Sequence, residues 1–270
     1  MALDHTASTA LITGASSGLG AEFAEQLASR GANLILVARR VDRLETLREA
    51  IAAKYGVTVT VIPADLTDED AASKLKASVE MLGLPVHTLV NNAGFGTHGA
   101  FEATDAHRVH DEVALNVAAL VDLTRAFYPE LVAHGTGALI NVASTAGFQP
   151  IPMMAVYGAT KAFVLSFTEA LWVEAKPSGL RVLALCPGAT TTEFFDTAGR
   201  AAHMSGGLQT PQQVVTTALA TLDRRNPPPS VISGFTNKFL ATSERFAPRR
   251  TVVSMVGRLS ARSAAANAND

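Results

Sequence analysis

Short, unbroken apolar runs alternate along the chain with longer segments whose apolar residues recur every three or four positions. The runs are Ala10–Thr13, Leu34–Val37, Val57–Ile62, Thr88–Asn91, Ala138–Val142, Val182–Cys186 and Val231–Ser233. A continuous apolar run suits a strand covered on both faces. Helical spacing marks Gly20–Ser29, Val41–Tyr55, Glu69–Leu82, Ala106–Leu131, Met154–Lys176 and Pro211–Leu222, with Leu44, Leu47 and Ile51 illustrating the period. Strands alternating with helices predict βαβ units, parallel pairing and helices on both faces of the sheet, so the expected fold is a doubly wound α/β domain.

This pattern predicts one catalytic-sized domain over residues 1–234, with Asn226-Pro-Pro-Pro as a stiff connector near its end. Thr192–Gly207 has two Phe, several small residues and no strand pattern, and reads as a lid. Residues 235–262 read as a helical extension, and 263–270, Ala/Asn-rich without large apolar side chains, as a frayed tail.

Composition narrows the partners. The 270 residues carry a formal charge of −2 and are 48% hydrophobic, which excludes the strongly basic surface that a nucleic acid requires. The single cysteine, Cys186, cannot form an intramolecular disulfide and ends an apolar strand, as a core residue would. The first ten residues lack a secretory signal pattern and no apolar run reaches membrane-spanning length, so a cytoplasmic protein is expected. The histidines form no ligand-spaced cluster, and no metal site is expected.

Directly after the first strand comes Gly14-Ala15-Ser16-Ser17-Gly18-Leu19-Gly20. Glycines at a strand-to-helix turn let backbone approach a pyrophosphate, while the helix N-terminus offers free N–H groups and a positive dipole end. The expected fold is thus Rossmann-type. The acidic residue that would bind a ribose 2′-hydroxyl at the end of the second strand is missing; the chain reads Ala38-Arg39-Arg40 there. A guanidinium pairs with a 2′-phosphate that a carboxylate would repel, so NADP(H) is favoured over NAD(H).

Further along stand Asn91-Asn92-Ala93-Gly94, Ser144, and Tyr157-Gly158-Ala159-Thr160-Lys161. Together with the first turn, these motifs make the segment from about Thr9 to Thr192 similar to the short-chain dehydrogenase/reductase family. The resemblance implies a Ser144/Tyr157/Lys161 catalytic set completed by Asn116. It implies cofactor contacts from Gly14, Ser16, Ser17, Gly18, Leu19, Gly20, Arg39 and Arg40, from Asp65 and Leu66, and from Asn92, Ala93 and Gly94. Tyr157 and Lys161 contact the cofactor as well, as do Pro187, Gly188, Thr190 and Thr192 in the turn that meets the nicotinamide. Thr190 stands where the family often has Val or Ile, and Ser17 where NADP-dependent relatives place a basic residue. Asp65 can also be read as a helix cap before Thr67. Family members are commonly dimers or tetramers, and the segments Ala106–Leu131 and Met154–Lys176, the latter bearing Trp172, are candidate subunit faces.

The chemistry also follows from the residue types. Tyr157 and Lys161 are four apart and share a helix face. An ammonium beside a phenol favours its ionised form, so the expectation is a lowered Tyr157 pKa and proton transfer to a carbonyl oxygen as hydride reaches the carbon. Ser144 can donate a hydrogen bond to the same oxygen. Phe95, Phe148, Ile151, Met153, Phe194 and Phe195 are the expected pocket wall, suiting a small or medium hydrophobic ketone or aldehyde. A noncatalytic dinucleotide-binding regulator is the rival reading; the complete Ser/Tyr/Lys set separates the two.

Thr236–Arg262 holds six basic residues against the single acid Glu244, with Val252, Met255, Val256 and Leu259 at helical spacing. Such a stripe can pack on the chain or a neighbouring subunit, or rest on an anionic membrane. Gly257, expected to interrupt the helix, and the lack of Trp and Phe anchors favour packing.

Overall fold

All seven apolar runs become strands of one parallel sheet in the computed structural model, which describes residues 3–198, 208–243 and 248–267. The strands are β1 (Thr9–Thr13), β2 (Asn33–Ala38), β3 (Val59–Pro63), β4 (Thr88–Asn91), β5 (Ala138–Val142), β6 (Arg181–Cys186) and β7 (Ser230–Ile232), in the order β3-β2-β1-β4-β5-β6-β7. The winding direction reverses between β1 and β4. A crevice opens at the carboxyl ends of the strands on either side of such a reversal, and ligands bind there.

Period-two alternation divides the core. Ile12, Leu34, Leu36 and Ile140 face one layer, formed by α1 (Gly18–Ala28), α2 (Val41–Tyr55) and α8 (Pro211–Leu222). Leu11, Ile35, Leu89 and Leu139 face the other, with α3 (Ala71–Met81) and α5 (Leu120–His134), while α6 (Ala155–Ala175) covers β5 and β6. Phe23 anchors the first layer and Phe127 the second, both fully buried. Burying each such side chain stabilises the fold by about 1.5–3 kcal/mol.

Three elements depart from the pattern. The expected strand Val57–Ile62 begins later, at Val59, because Gly56 closes α2 in the left-handed conformation and the Thr58 N–H is taken by the Asn33 side chain. It runs on to Pro63, whose missing N–H an edge strand tolerates. The single helix expected over Ala106–Leu131 is divided into α4 (Ala106–Val113), a π-helical turn (Ala114–Ala119) and α5. Asp65 is not a helix cap: α3 starts only at Ala71, and the Asp65 carboxylate instead accepts from the Thr67 N–H and hydroxyl.

The Pro-rich connector docks on the sheet, with the Pro229 carbonyl accepting from Ala184 N–H and the Pro227 carbonyl from the Trp172 indole. Trp172 is half-buried, with the Lys176 ammonium 3.7 Å over its ring. Beyond β7 lie α9 (Phe235–Ser243) and α10 (Arg249–Asn267). Gly257 does not interrupt α10. It faces Pro152 with room for a Cβ, and Val252 and Val256 of the predicted stripe are buried while Met255 is exposed. The helix continues through Ser263–Asn267, where three alanines favour it. Within the proposed lid, α7 (Phe194–Ala198) is described and residues 199–207 lie outside the described residues.

Candidate active site

The crevice at the reversal is a cavity of about 830 Å³. Its floor begins at the glycine turn. Gly14 has φ +65°, and a Cβ there would sit 2.8 Å from the Asn92 amide nitrogen and 2.9 Å from Ala93 Cα. That crowding comes from a staple: Asn92 donates to the Thr13 carbonyl at 2.9 Å, and the Thr13 hydroxyl accepts from the Asn92 and Ala93 N–H groups at 3.0 Å. The bare backbone cradle, opening onto Ser16, Ser17, Gly18 and Leu19 at the start of α1, fits a pyrophosphate. Gly20 does not reach the cavity. It is buried against the Gly14 carbonyl and lets α1 pack close under the turn.

Two guanidiniums border the same end. Arg40 donates to both Ser16 and Ser17 hydroxyls and pairs with Glu193 at 2.7 Å, whereas Arg39 extends into solvent and meets Asp65 at 3.5 Å. Arg40 and Arg43 hold the Glu193 carboxyl down at about 2. Burial raises Asp65, but Thr67 and Arg39 leave it below the usual carboxylate range. Leu66 and Gly94 complete this part of the wall.

Ser144, Tyr157 and Lys161 line the other half. Ser144 follows β5 in extended conformation and caps a short 3₁₀ turn by accepting from Ala146 N–H at 3.1 Å. Tyr157 and Lys161 sit one turn apart on α6, and the Lys161 ammonium donates to the Val142 carbonyl at 2.7 Å. The expected lowering of the phenol is not what this site produces. Burial pushes Tyr157 up to about 12 against the pull of Ser144, and the same burial brings Lys161 down to about 8. A phenol in this state is fully protonated at neutral pH and a weaker acid than a free one.

Asn116 stands behind the wall, in the π turn, and is buried. Its amide oxygen accepts from Phe95 N–H at 3.0 Å and its nitrogen donates to the Phe95 carbonyl at 2.8 Å and to Thr160. A Cβ on Gly94 would lie 2.7 Å from that oxygen and 3.6 Å from the Lys161 nitrogen, so Asn116 positions the backbone beside Lys161. A buried ladder supports the floor: Asn91 donates to Thr124 and Asn141, and Asn141 donates to Thr168.

Pro187 and Gly188 line the far wall, with the Asn237 side chain against Gly188. Thr190 is buried and donates to the Gly188 carbonyl at 3.0 Å; Thr192 receives the Phe194 N–H at 3.3 Å. Of the expected apolar wall, Phe95, Ile151, Phe194 and Phe195 line the cavity. Phe148 instead packs with Leu120, Ala143 and Val164, and Met154 takes the place expected of Met153. Asn237, Leu240 and Ala241 of α9 also reach the cavity, as do Arg108 and Glu193. Glu193 adjoins the expected Thr192; the others have no local sequence signal and arrive from distant elements.

Residues 8–202 match the family described as short chain dehydrogenase. The chain belongs to the short chain dehydrogenase family. It is 40% identical over 185 residues to a sulfoacetaldehyde reductase of Chromohalobacter salexigens, covering 68% of this chain and 72% of that protein. Against the very-long-chain 3-oxoacyl-CoA reductase of Bos taurus it is 33% identical over 189 residues, covering 68% of this chain and only 60% of the bovine protein's length. Among solved structures it resembles a short-chain dehydrogenase from Sphingobium yanoikuyae in complex with NADPH, at TM-score 0.77 and 35% identity, over 92% of this chain and 95% of that one.

Proposed function

We propose that this chain is an NADP(H)-dependent oxidoreductase that interconverts a small or medium apolar ketone or aldehyde and its alcohol. One observation carries the reading: Ser144, Tyr157 and Lys161 converge on the same cavity as a bare glycine cradle. Arg39, with Arg40 beside it, would take the 2′-phosphate, and the Gly14–Leu19 turn the pyrophosphate. Asp65 and Leu66 stand where the adenine would lie, and Pro187, Gly188, Thr190 and Thr192 beside the nicotinamide. When bound, the nicotinamide supplies or accepts hydride at the carbonyl carbon.

In reduction, Ser144 donates a hydrogen bond to the substrate oxygen and Tyr157 gives it a proton. The Lys161 ammonium stabilises the phenolate left behind. Asn116 acts through Phe95 and Gly94 by keeping the loop beside Lys161 in place. Phe95, Ile151, Met154 and Phe194 would exclude water and seat an apolar substrate. A regulator that only bound the dinucleotide would have no use for this proton donor.

A panel of ketones, aldehydes and secondary alcohols assayed with NADPH and NADH tests the proposal. Apolar carbonyls reduced with NADPH are the expected result; strong preference for charged sugar phosphates would overturn the substrate class. Exposed Val113, Phe163 and Val173 on α4 and α6 support a homo-oligomer, which light scattering would establish. Among the described residues no helix is long and apolar enough to cross a membrane, and a cytoplasmic enzyme is proposed.

A further inference from the structure

Among the described residues Glu112 is the one fully buried carboxylate that the chemistry above does not use; neither of its oxygens makes a well-formed hydrogen bond, and the nearest donors are the hydroxyl and N–H of Thr97. It lies on α4 one turn before Asn116, with the π turn beginning between them at Ala114. It also lines a second, small cavity of about 40 Å³ with Thr97, Thr104, Met153 and the exposed Phe101. Holding one water takes about 10–15 Å³ of such space plus polar partners. Met153 in this wall has φ 68°, a conformation that persists only where the surroundings impose it, and its carbonyl is held by Gly99 N–H at 2.8 Å.

A buried carboxylate with only the marginal Thr97 donors is costly to retain without a role or a proton. Burial raises Glu112 above the usual carboxylate range, against the pull of Thr97, of Arg108 on its own helix and of Lys161 on α6. Its charge acts in turn on both Tyr157 and Lys161. The other ionisable residues of α4, Asp105, His107, His110 and Asp111, are exposed.

We propose that Glu112 is a proton-exchange residue, a buried acid that passes protons through water in the small cavity between solvent and the Tyr157–Lys161 end of the site. The inference rests on Tyr157 as the proton donor. In each reductive turnover Tyr157 loses its proton to the substrate oxygen. Glu112 gives one proton by way of water to restore the phenol, becoming a carboxylate faced by Lys161 and Arg108, and takes one proton back from solvent. The net change is one proton from solvent per alcohol formed, with no further reactant.

The test uses the full chain with NADPH and benzaldehyde. Glu112→Gln, an isostere without an exchangeable acid, should leave NADPH Kd and the benzaldehyde KM at parental values and lower kcat by at least about tenfold. It should also enlarge the solvent deuterium isotope effect on kcat and alter the alkaline limb of the kcat profile, leaving only the fall that loss of the Lys161 charge causes from about pH 8. Glu112→Asp should restore part of kcat with a displaced alkaline limb. Independently of turnover, the parent at pH 7 should show an infrared band of a protonated carboxyl that Glu112→Gln lacks. A Glu112→Gln protein with the parental kcat, pH profile and isotope effect, or a parent without that band, overturns the proposal. Tyr157→Phe assayed alongside separates the cases: retained turnover there contradicts the tyrosine reading, whereas its loss with an unaffected Glu112→Gln contradicts only this one.

Discussion

Lys161 is the residue whose charge is most at odds with its place. Burial lowers it from its ordinary 10.5 to about 8, so at pH 7 the folded protein still holds the cation, against its desolvation. Between about 8 and 10.5 the unfolded chain binds more protons than the folded one, and stability therefore rises with pH through that window. Tyr157 has the opposite effect: from 10 to about 12 the folded phenol keeps a proton the unfolded one loses, and stability falls as pH rises. Lys161→Met should accordingly be no less stable than the parent at pH 7 in thermal melts, with its relative advantage shrinking above pH 8, while NADPH binding and turnover both suffer. A sharp drop in melting temperature at pH 7 would show that the ammonium's bond to Val142 outweighs its desolvation. At the other end of the cavity, Ala38→Asp should reverse the preference for NADPH over NADH. The charge-assisted contact it opposes is worth about 1.5–3 kcal/mol, or roughly 10- to 100-fold in affinity. Fluorescence titration with both dinucleotides reads this directly, and unchanged ratios would remove Arg39 from the phosphate site.

At the scale of elements, strands were legible because burial on both faces writes itself as an unbroken apolar run, as in Leu34–Val37. Glycine positions at the first turn were legible because local backbone conformation requires them there, as the positive φ of Gly14 and Gly18 shows. The π turn was not. Its cause is tertiary, since Asn116 must reach Phe95 and Thr160 from a helix whose apolar period continues unbroken past it. Phe148 was misplaced because an aromatic beside a site and an aromatic in the core look alike in sequence, and only the packing of Leu120 and Val164 decides between them. Nor could spacing reveal that Asn91 and Asn141 pair beneath the site, joining β4 and β5 to α5 and α6. Asn141→Ala would leave Asn91 short of a partner in a fully buried place. It should destabilise by about 1–3 kcal/mol in urea unfolding; a smaller effect would mean that water replaces the amide.

At the scale of the molecule, the C-terminal extension belongs to the site. Leu240 and Ala241 line the main cavity, and α10 buries Val252 and Val256 with Gly257 against Pro152, next to the cavity-lining Ile151. This favours the packing reading of the basic segment, leaving Arg249, Arg250 and Arg258 in solvent. Truncation after Pro229 removes β7 as well, so both stability and activity should be lost. With anionic vesicles at physiological salt the full chain should remain in the supernatant; salt-sensitive pelleting abolished by the truncation would establish the membrane reading instead. The central claim, however, is that one phenol supplies the proton for a dinucleotide-dependent reduction. It is tested most directly by comparing NADPH affinity and NADPH consumption in the parent and in Tyr157→Phe, on a carbonyl that the parent reduces. Parental affinity with turnover reduced at least about a hundredfold is the expected result, and substantial turnover in the Tyr157→Phe protein would contradict the account.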